Sequence, residues 1–478
     1  MYPYFCSHLY HKNRIPPPLK NSLRKISHTV ILTVWLNWKL CRENRVHVND
    51  NRITLMSNCY NHRVRTVNAY IGLIILFPSF FGYLSIGVSQ MIFISMCCGV
   101  GLYVLFSNTK KTYPSPLRKV MVMMVLQLIC YSLTILTNSI ASFGHITVQD
   151  TTDLMRPMIY LLYFSIPVLL RYDSISCIKI IFIGIAIGVL FDFIKFIPSF
   201  YPIIRLYTHL DPNGLNYARF NGTFTYCYSF GFIVLFLLAY SLNASYKYRF
   251  PSIILIFAVI FLTGSRSIIL GAFILIFLQI LFFGGSGINK ISSLLIIGFI
   301  ITLFYYIVSS LDIPMVQNIL KILERGYDSI SGEATDASFN TRNDQIERAM
   351  HNFYLNPLFG VGPQKGEQEP IENLMGYYIS SWGLGGSLCY LTIWCFFSYN
   401  SFKCAFIQND AIKTFSRANL LWLLLVPIGG MSAPITEGIR LAPLYYVIQG
   451  IQGVFYYKEV YLKIRLERKS KLKPIYND

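Results

Sequence analysis

The chain has 478 residues, of which 54% are hydrophobic and only 13% charged, and it carries a net charge of +19. A soluble domain of this size has about twice that charged share, so the composition excludes one. The apolar residues fall into non-alternating runs of about 17 to 24, the length that spans a bilayer as helix, and this pattern excludes a β-barrel. Eleven cysteines are present without a C-x-x-C pair, so neither a disulfide framework nor a zinc site is indicated.

Residues 1–55 form a basic N-terminal extension with nine Lys or Arg against Glu43 and Asp50, and three consecutive prolines at Pro16, Pro17 and Pro18. Its one apolar patch, 30–40, is too short to span a membrane. We read it as upstream sequence, with Met56 as the true start. From there the hydropathy predicts an all-α polytopic membrane protein of about twelve spans, at 68–88, 90–107, 119–139, 155–170, 178–197, 224–243, 250–264, 267–283, 291–311, 374–397, 418–433 and 440–457. The apolar stretch 250–283 is too long for one helix and fits two with a tight turn at Gly264-Ser265-Arg266. The expected organisation is a membrane domain over 56–311, a large loop over 312–373, a second membrane domain over 374–457 and a basic tail over 458–478.

Orientation follows from Lys and Arg, which concentrate in cytoplasmic loops. With residues 56–67 inside and the spans alternating, the cytoplasmic segments hold 21 Lys/Arg and 5 Asp/Glu, and the other side 11 and 15. Both termini are therefore expected in the cytoplasm, and the loop between spans nine and ten outside. Within that loop Ile346, Ala349, Met350 and Phe353 recur at helical spacing and predict an apolar helix face. Thr341 with Asp344 predicts its capping box, which puts Arg342 in the first turn, where the helix dipole disfavours a cation. Asn356-Pro357 ends the helix, and Gly360-Val361-Gly362-Pro363 predicts a turn with unusual backbone angles.

The choice of cation on the outer side is informative. Eight of its eleven basic residues are Arg, namely Arg156, Arg205, Arg219, Arg266, Arg325, Arg342, Arg348 and Arg440, against eight of 21 inside. Lys orients a membrane protein as well as Arg does, but the planar guanidinium grips phosphate or carboxylate oxygens in pairs. An anionic ligand such as a lipid phosphate is indicated. Arg266 lies between two apolar runs, where a deep cation costs roughly 2.5–3.5 kcal/mol. Arg219 precedes Gly222, which permits close backbone approach. Glu372 and Asn373 stand at the mouth of the tenth span, where a carboxylate could act as general base. No Asp-x-Asp, Walker loop or dinucleotide fingerprint is present, so a cytoplasmic nucleotide-sugar enzyme has no visible site.

Several local patterns, in this order, resemble one family. They are Arg219-x-x-Gly222-x-Phe224, then Leu262-Thr263-Gly264-Ser265-Arg266, then Ser338-Phe339-Asn340-Thr341-Arg342. Asn356-Pro357-Leu358-Phe359-Gly360-Val361-Gly362 follows, and Glu372-Asn373 and Trp382-Gly383-Leu384-Gly385-Gly386 close the series. Order and topology are similar to those of the O-antigen polymerase and O-antigen ligase superfamily, Wzy-like and WaaL-like, over about residues 200–400. The resemblance implies a glycosyltransferase of the bacterial inner membrane that takes glycan from an undecaprenyl-pyrophosphate carrier at the outer leaflet. It implies neither metal nor nucleotide sugar. Arg266, Arg342 and Glu372 are then the implied catalytic residues, and Arg219, Asn373, Gly360 and Gly362 the implied substrate-binding ones. The implied partners are the undecaprenyl-pyrophosphate-linked oligosaccharide, membrane lipids, a chain-length regulator and a flippase, with no nucleic acid.

Many members of that family carry His where this chain has Glu372, and Pro-Asn after the Gly-x-Phe where Thr225-Tyr226-Cys227 stands here. These departures favour a polymerase of O-antigen, capsule or exopolysaccharide over a lipopolysaccharide ligase. The reading from another class is a flippase or secondary transporter, which calls for paired halves with interrupted helices.

Overall fold

The computed structural model describes residues 51–78, 86–107, 115–141, 150–207, 219–224, 226–284, 306, 337–364, 371–431 and 433–462. The expected ninth span, most of the large loop, the first fifty residues and the end of the tail lie outside the described residues. Two compact units are distinguished, Met1–Arg65 and Thr66–Asp478. In the first, the described residues 51–65 are the beginning of helix α1 (Asn51–Leu76).

The described residues are all-helical, with no strand among them. After α1 come α2 (Ile86–Ser107), α3 (Ser115–Ala141), α4 (Arg156–Leu170), α5 (Ser176–Ile194), α6 (Cys227–Asn243), α7 (Arg249–Leu262) and α8 (Arg266–Phe283). The series ends with α9 (Ala337–Leu355), α10 (Leu374–Cys404), α11 (Asp410–Leu424) and α12 (Ala442–Tyr456). Among the described helices four segments are long and apolar enough to cross a membrane: Val88–Ser107, Ser115–Ala141, Ser176–Ile194 and Arg266–Phe283. Helices α4, α6 and α7 are apolar but shorter. The protein is thus a helical membrane protein, and the expected pair of helices around Gly264 is present as α7 and α8.

Two boundaries differ from the hydropathy reading. Helix α1 starts upstream of residue 68 and closes at Leu76, because Pro78 lacks a donor and bars Phe77 from helical backbone. Helix α11 starts at Asp410 rather than 418, because Asn409 caps it, its Oδ1 accepting from the Ala411 and Ile412 N–H groups at 3.2 and 3.3 Å. Charged Lys413 and Arg417 in those first turns hid the helix from a hydropathy window.

Helices α6 and α12 form the core. Almost every residue of each is buried, as expected of helices apolar all round. Helix α12 packs on α4, α11 on α6, and α10 on α3, α9, α11 and α12. Where the packing is polar it is paired. Asn419 donates to Ser401 Oγ and Gln449 Oε1 at 2.9 and 3.0 Å, and Gln449 returns a bond to Asn419. Such interhelical bonds contribute about 0.6 kcal/mol each in lipid.

Helix α10 is interrupted at Gly383, whose φ is +58°. The groups freed by the break are claimed by the segment 357–362. Val361 and Gly362 N–H donate to the Ser380 and Ser381 carbonyls at 2.9 and 3.0 Å, and Leu384 and Gly385 N–H donate to the Pro357 and Leu358 carbonyls at 2.9 Å each. Gly360 and Gly383 meet backbone to backbone: a Cβ on Gly360 would lie 2.6 Å from Gly383 N, and one on Gly383 2.6 Å from Gly360 N. Helix α3 closes the seat, with Asn138 Nδ2 donating to the Gly360 carbonyl at 3.0 Å and the Thr134 hydroxyl to that of Phe359. Gly360 and Gly362 have φ of +71° and +82°, the unusual angles the sequence predicts.

Helix α9 corrects two expectations. It begins at Ala337, so Thr341 and Asp344 lie inside it and Arg342 sits in its second turn. Its buried face is Gln345, Ala349 and Asn352, while Ile346 and Met350 are exposed at 46% and 40%. The neighbour explains the rotation. Glu372 N–H and Ser380 Oγ need partners, and Gln345 Oε1 and Asn352 Nδ2 supply them at 3.0 and 2.9 Å.

Candidate active site

The turn 219–224 lies between α5 and α6. Gly222 takes φ +56° beneath the ring of Phe230, a conformation costing about 1–2 kcal/mol in a residue with a Cβ. Thr223 Oγ1 donates to the Ile75 carbonyl of α1 at 2.5 Å. Phe220 N–H donates to the Leu262 carbonyl at 3.0 Å, which ties this turn to the one joining α7 and α8.

That tie brings together the two turns that carry Arg219 and Arg266. The stem of half-buried Arg219 passes over Gly264, with Arg219 Cγ and Nε 3.4 and 3.5 Å from where a Cβ would stand. The Arg219 guanidinium acts electrostatically on the Cys227 thiol, and its Nε is buried without a partner. Arg266, two residues beyond Gly264, is half-buried and opens α8 behind Ser265. An apolar run that must turn back on itself thus puts Arg266 two residues beyond the glycine that the Arg219 stem covers.

The other expected residues gather around the start of α10. Arg342 is half-buried on α9, and its Nε has no partner. One turn further along α9, Gln345 holds the backbone of Glu372. The Glu372 carboxylate is exposed and acts electrostatically on Tyr228 of α6, so it stands near the end of the Arg219 turn. Tyr226 and Tyr228 stack there with centroids 5.1 Å apart. Asn373 is the cap of α10, its Oδ1 accepting from Met375 and Gly376 N–H at 2.9 and 3.1 Å. Gly360 and Gly362 belong to the seat at the break in α10. The structure therefore sets the Arg219 stem against the turn that leads to Arg266, ties the Glu372 backbone to the helix that carries Arg342, and uses Asn373 and the two glycines in the scaffold at the start of α10.

Two clusters escaped the sequence reading. Asp192 and Lys195 are 2% and 3% exposed and form an ion pair at 3.0 Å near the end of α5. A charged pair spaced i, i+3 inside an apolar run was a usable signal. The second cluster centres on buried Glu437, which accepts from Tyr160 Oη at 2.6 Å, from Tyr378 Oη and from Arg156 Nη1 at 3.2 Å. Arg156 also pairs with Asp153 at 2.8 Å, and Tyr377 Oη donates to Asp153 at 3.0 Å. This occupies Arg156, one of the eight outer arginines, with protein carboxylates. Among the described residues no group of three or more His, Cys, Asp or Glu is placed to hold a metal ion.

The arrangement thus offers a half-buried arginine stem over a glycine, a second arginine two residues beyond that glycine, and a third on the helix that holds the backbone of an exposed glutamate, groups whose chemistry suits an anion and a proton acceptor. Comparison with known proteins bears on what that anion is. Residues 251–384, which contain Arg266, Arg342 and Glu372, match the family model described as O-Antigen ligase. No curated protein matches the chain.

Proposed function

We propose, from the match of residues 251–384 to the O-Antigen ligase family model, that the chain is a member of the O-antigen ligase and polymerase superfamily and a polysaccharide polymerase acting at the outer face of the bacterial inner membrane. It moves a growing glycan from undecaprenyl pyrophosphate onto a lipid-linked repeat unit. The packing of Arg219 over Gly264, next to Arg266, carries this reading. Lone surface arginines pair with whatever acid is near, whereas two arginines on interlocked turns suit a diphosphate.

In the proposed reaction an acceptor hydroxyl attacks the anomeric carbon of the donor glycan. The bond from that carbon to the carrier pyrophosphate breaks, and its electron pair leaves with the phosphate oxygen. Arg219, Arg266 and Arg342 hold the charge that develops there, which is where preorganised donors act most strongly on a barrier. Glu372 takes the proton of the attacking hydroxyl, being exposed and close to Tyr228. Gly360, Gly362 and Asn373 fix the start of α10 so that Glu372 and the α9 helix keep their places. The membrane arrangement in this reading has twelve spans, both termini in the cytoplasm and α9 on the outer side.

The description of the matching family favours a second reading, in which finished chains are transferred to a lipid A core. One gel separates the two. In the native host, Arg266→Ala or Arg342→Ala in a polymerase removes long chains and leaves single repeat units. In a ligase the long chains persist on the carrier and vanish from the core. Lys at either position is expected to rescue poorly, because a point charge lacks the fork. An unchanged ladder in both Ala variants at normal protein level rules out the site.

A further inference from the structure

We propose that Asp192, Lys195 and Arg440 are positioning residues that aim Arg219 at the anionic ligand. This rests on the reading of Arg219 as a phosphate-holding group. None of the three lies in the segment that matches the family, and none is among the residues expected to touch substrate.

The case comes from an account of the turn's backbone. Asp192 Oδ2 accepts from Gly222 N–H at 2.6 Å, and its Oδ1 from Asn221 N–H at 3.3 Å. Lys195 Nζ bonds Asp192 Oδ1 at 3.0 Å and also donates to the carbonyl of Arg219 itself at 2.5 Å. Arg440, 8% exposed, donates from Nη2 to the Thr223 carbonyl at 3.0 Å and to that of Phe77. Three ionisable side chains, each over nine-tenths buried, thus grip four of the five residues 219–223.

A tight turn needs no such grip, since neutral bonds of its own backbone or nearby hydroxyls satisfy it at lower cost. Burying charge costs more than the mutual attraction returns unless geometry is close to ideal. Here the balance is one anion against two cations. Arg440 lies 4.6 Å over the Phe93 ring, and its Nε and Nη1 are enclosed by protein without hydrogen-bond partners. That enclosure leaves no room for a ligand, so Arg440 acts by holding Thr223 and not by touching substrate. What the arrangement supplies is stiffness. The carbonyl of Arg219 cannot rotate without breaking the bond to Lys195, which is itself locked to Asp192.

The test is a double-mutant cycle on the full chain in lipid nanodiscs, with undecaprenyl pyrophosphate as the probe. Arg219→Ala and Asp192→Asn are each expected to weaken binding about tenfold. The double variant is expected to bind no more weakly than Arg219→Ala alone, because a misaimed side chain and a missing one are equivalent. If Asp192→Asn is not recovered folded, Lys195→Met, which leaves both Asp192 bonds to the turn, runs the same cycle, and Lys195→Arg should restore binding. Wild-type affinity in Asp192→Asn, or losses that multiply in the double variant, overturns the positioning role while Arg219 stands. Wild-type affinity in Arg219→Ala overturns the reading of Arg219, and this inference with it.

Discussion

The turn 219–224 and the segment 357–362 solve one problem in opposite ways. Each is an irregular stretch among helices, and each depends on glycine at positive φ. The second is held by neutral bonds, chiefly from the backbone of α10, and by two glycines in mutual contact. The first is held by Asp192, Lys195 and Arg440. Neutral lacing is the lower-cost solution in a low-dielectric interior, since every partner is satisfied without desolvating an ion. The region that uses charge instead is the one that carries Arg219. Buried charge here goes with a side chain that must point accurately, and neutral bonding with one that must only stay shut.

The comparison can be broken first at its rigid end. Gly383→Ala puts a Cβ 2.6 Å from Gly360 N and from the Leu358 carbonyl carbon, backbone atoms that cannot move aside. A loss above about 4 kcal/mol is expected, seen as failure to recover monodisperse protein in detergent. At the charged turn the atoms nearest a Cβ in Gly222→Ala belong to the side chain of Phe230 and not to backbone. There we expect about 1–2 kcal/mol from the left-handed backbone, read as a modest fall in melting temperature. Polymer length should drop by more than the loss of folded protein explains. Asn138→Ala removes one neutral bond to the Gly360 carbonyl. Its effect should be the smallest, about 0.6 kcal/mol, with chain length unchanged on a gel. Equal functional losses in Gly222→Ala and Asn138→Ala would erase the distinction between the two regions.

Much of this was legible in the chain. Hydropathy located eleven of the helical stretches, since a run that must satisfy its backbone in lipid has no alternative to helix. The Gly264 turn and the φ of Gly360 and Gly362 followed from glycine spacing. The rest was lost where partners are distant in sequence. Periodicity chose the apolar flank of α9, but the buried flank is set by what Glu372 N–H and Ser380 require. That Asn373 caps α10 was not read from the sequence, because a capping side chain and a binding one look alike there. Glu437 was passed over because its partners, 59 to 281 positions away, exist only after folding, whereas the Asp192–Lys195 pair, three positions apart, was legible and went unread.

The break in α10 has an electrostatic consequence. A helix that starts anew inside a membrane normally exposes unbonded N–H groups whose partial positive charge can trap an anion. At Leu384 and Gly385 those donors already point at the Pro357 and Leu358 carbonyls. Their dipole is quenched by neighbouring oxygen atoms, so this half-helix offers no berth for a negative ion. Negative charge that comes to this break must be met by side chains.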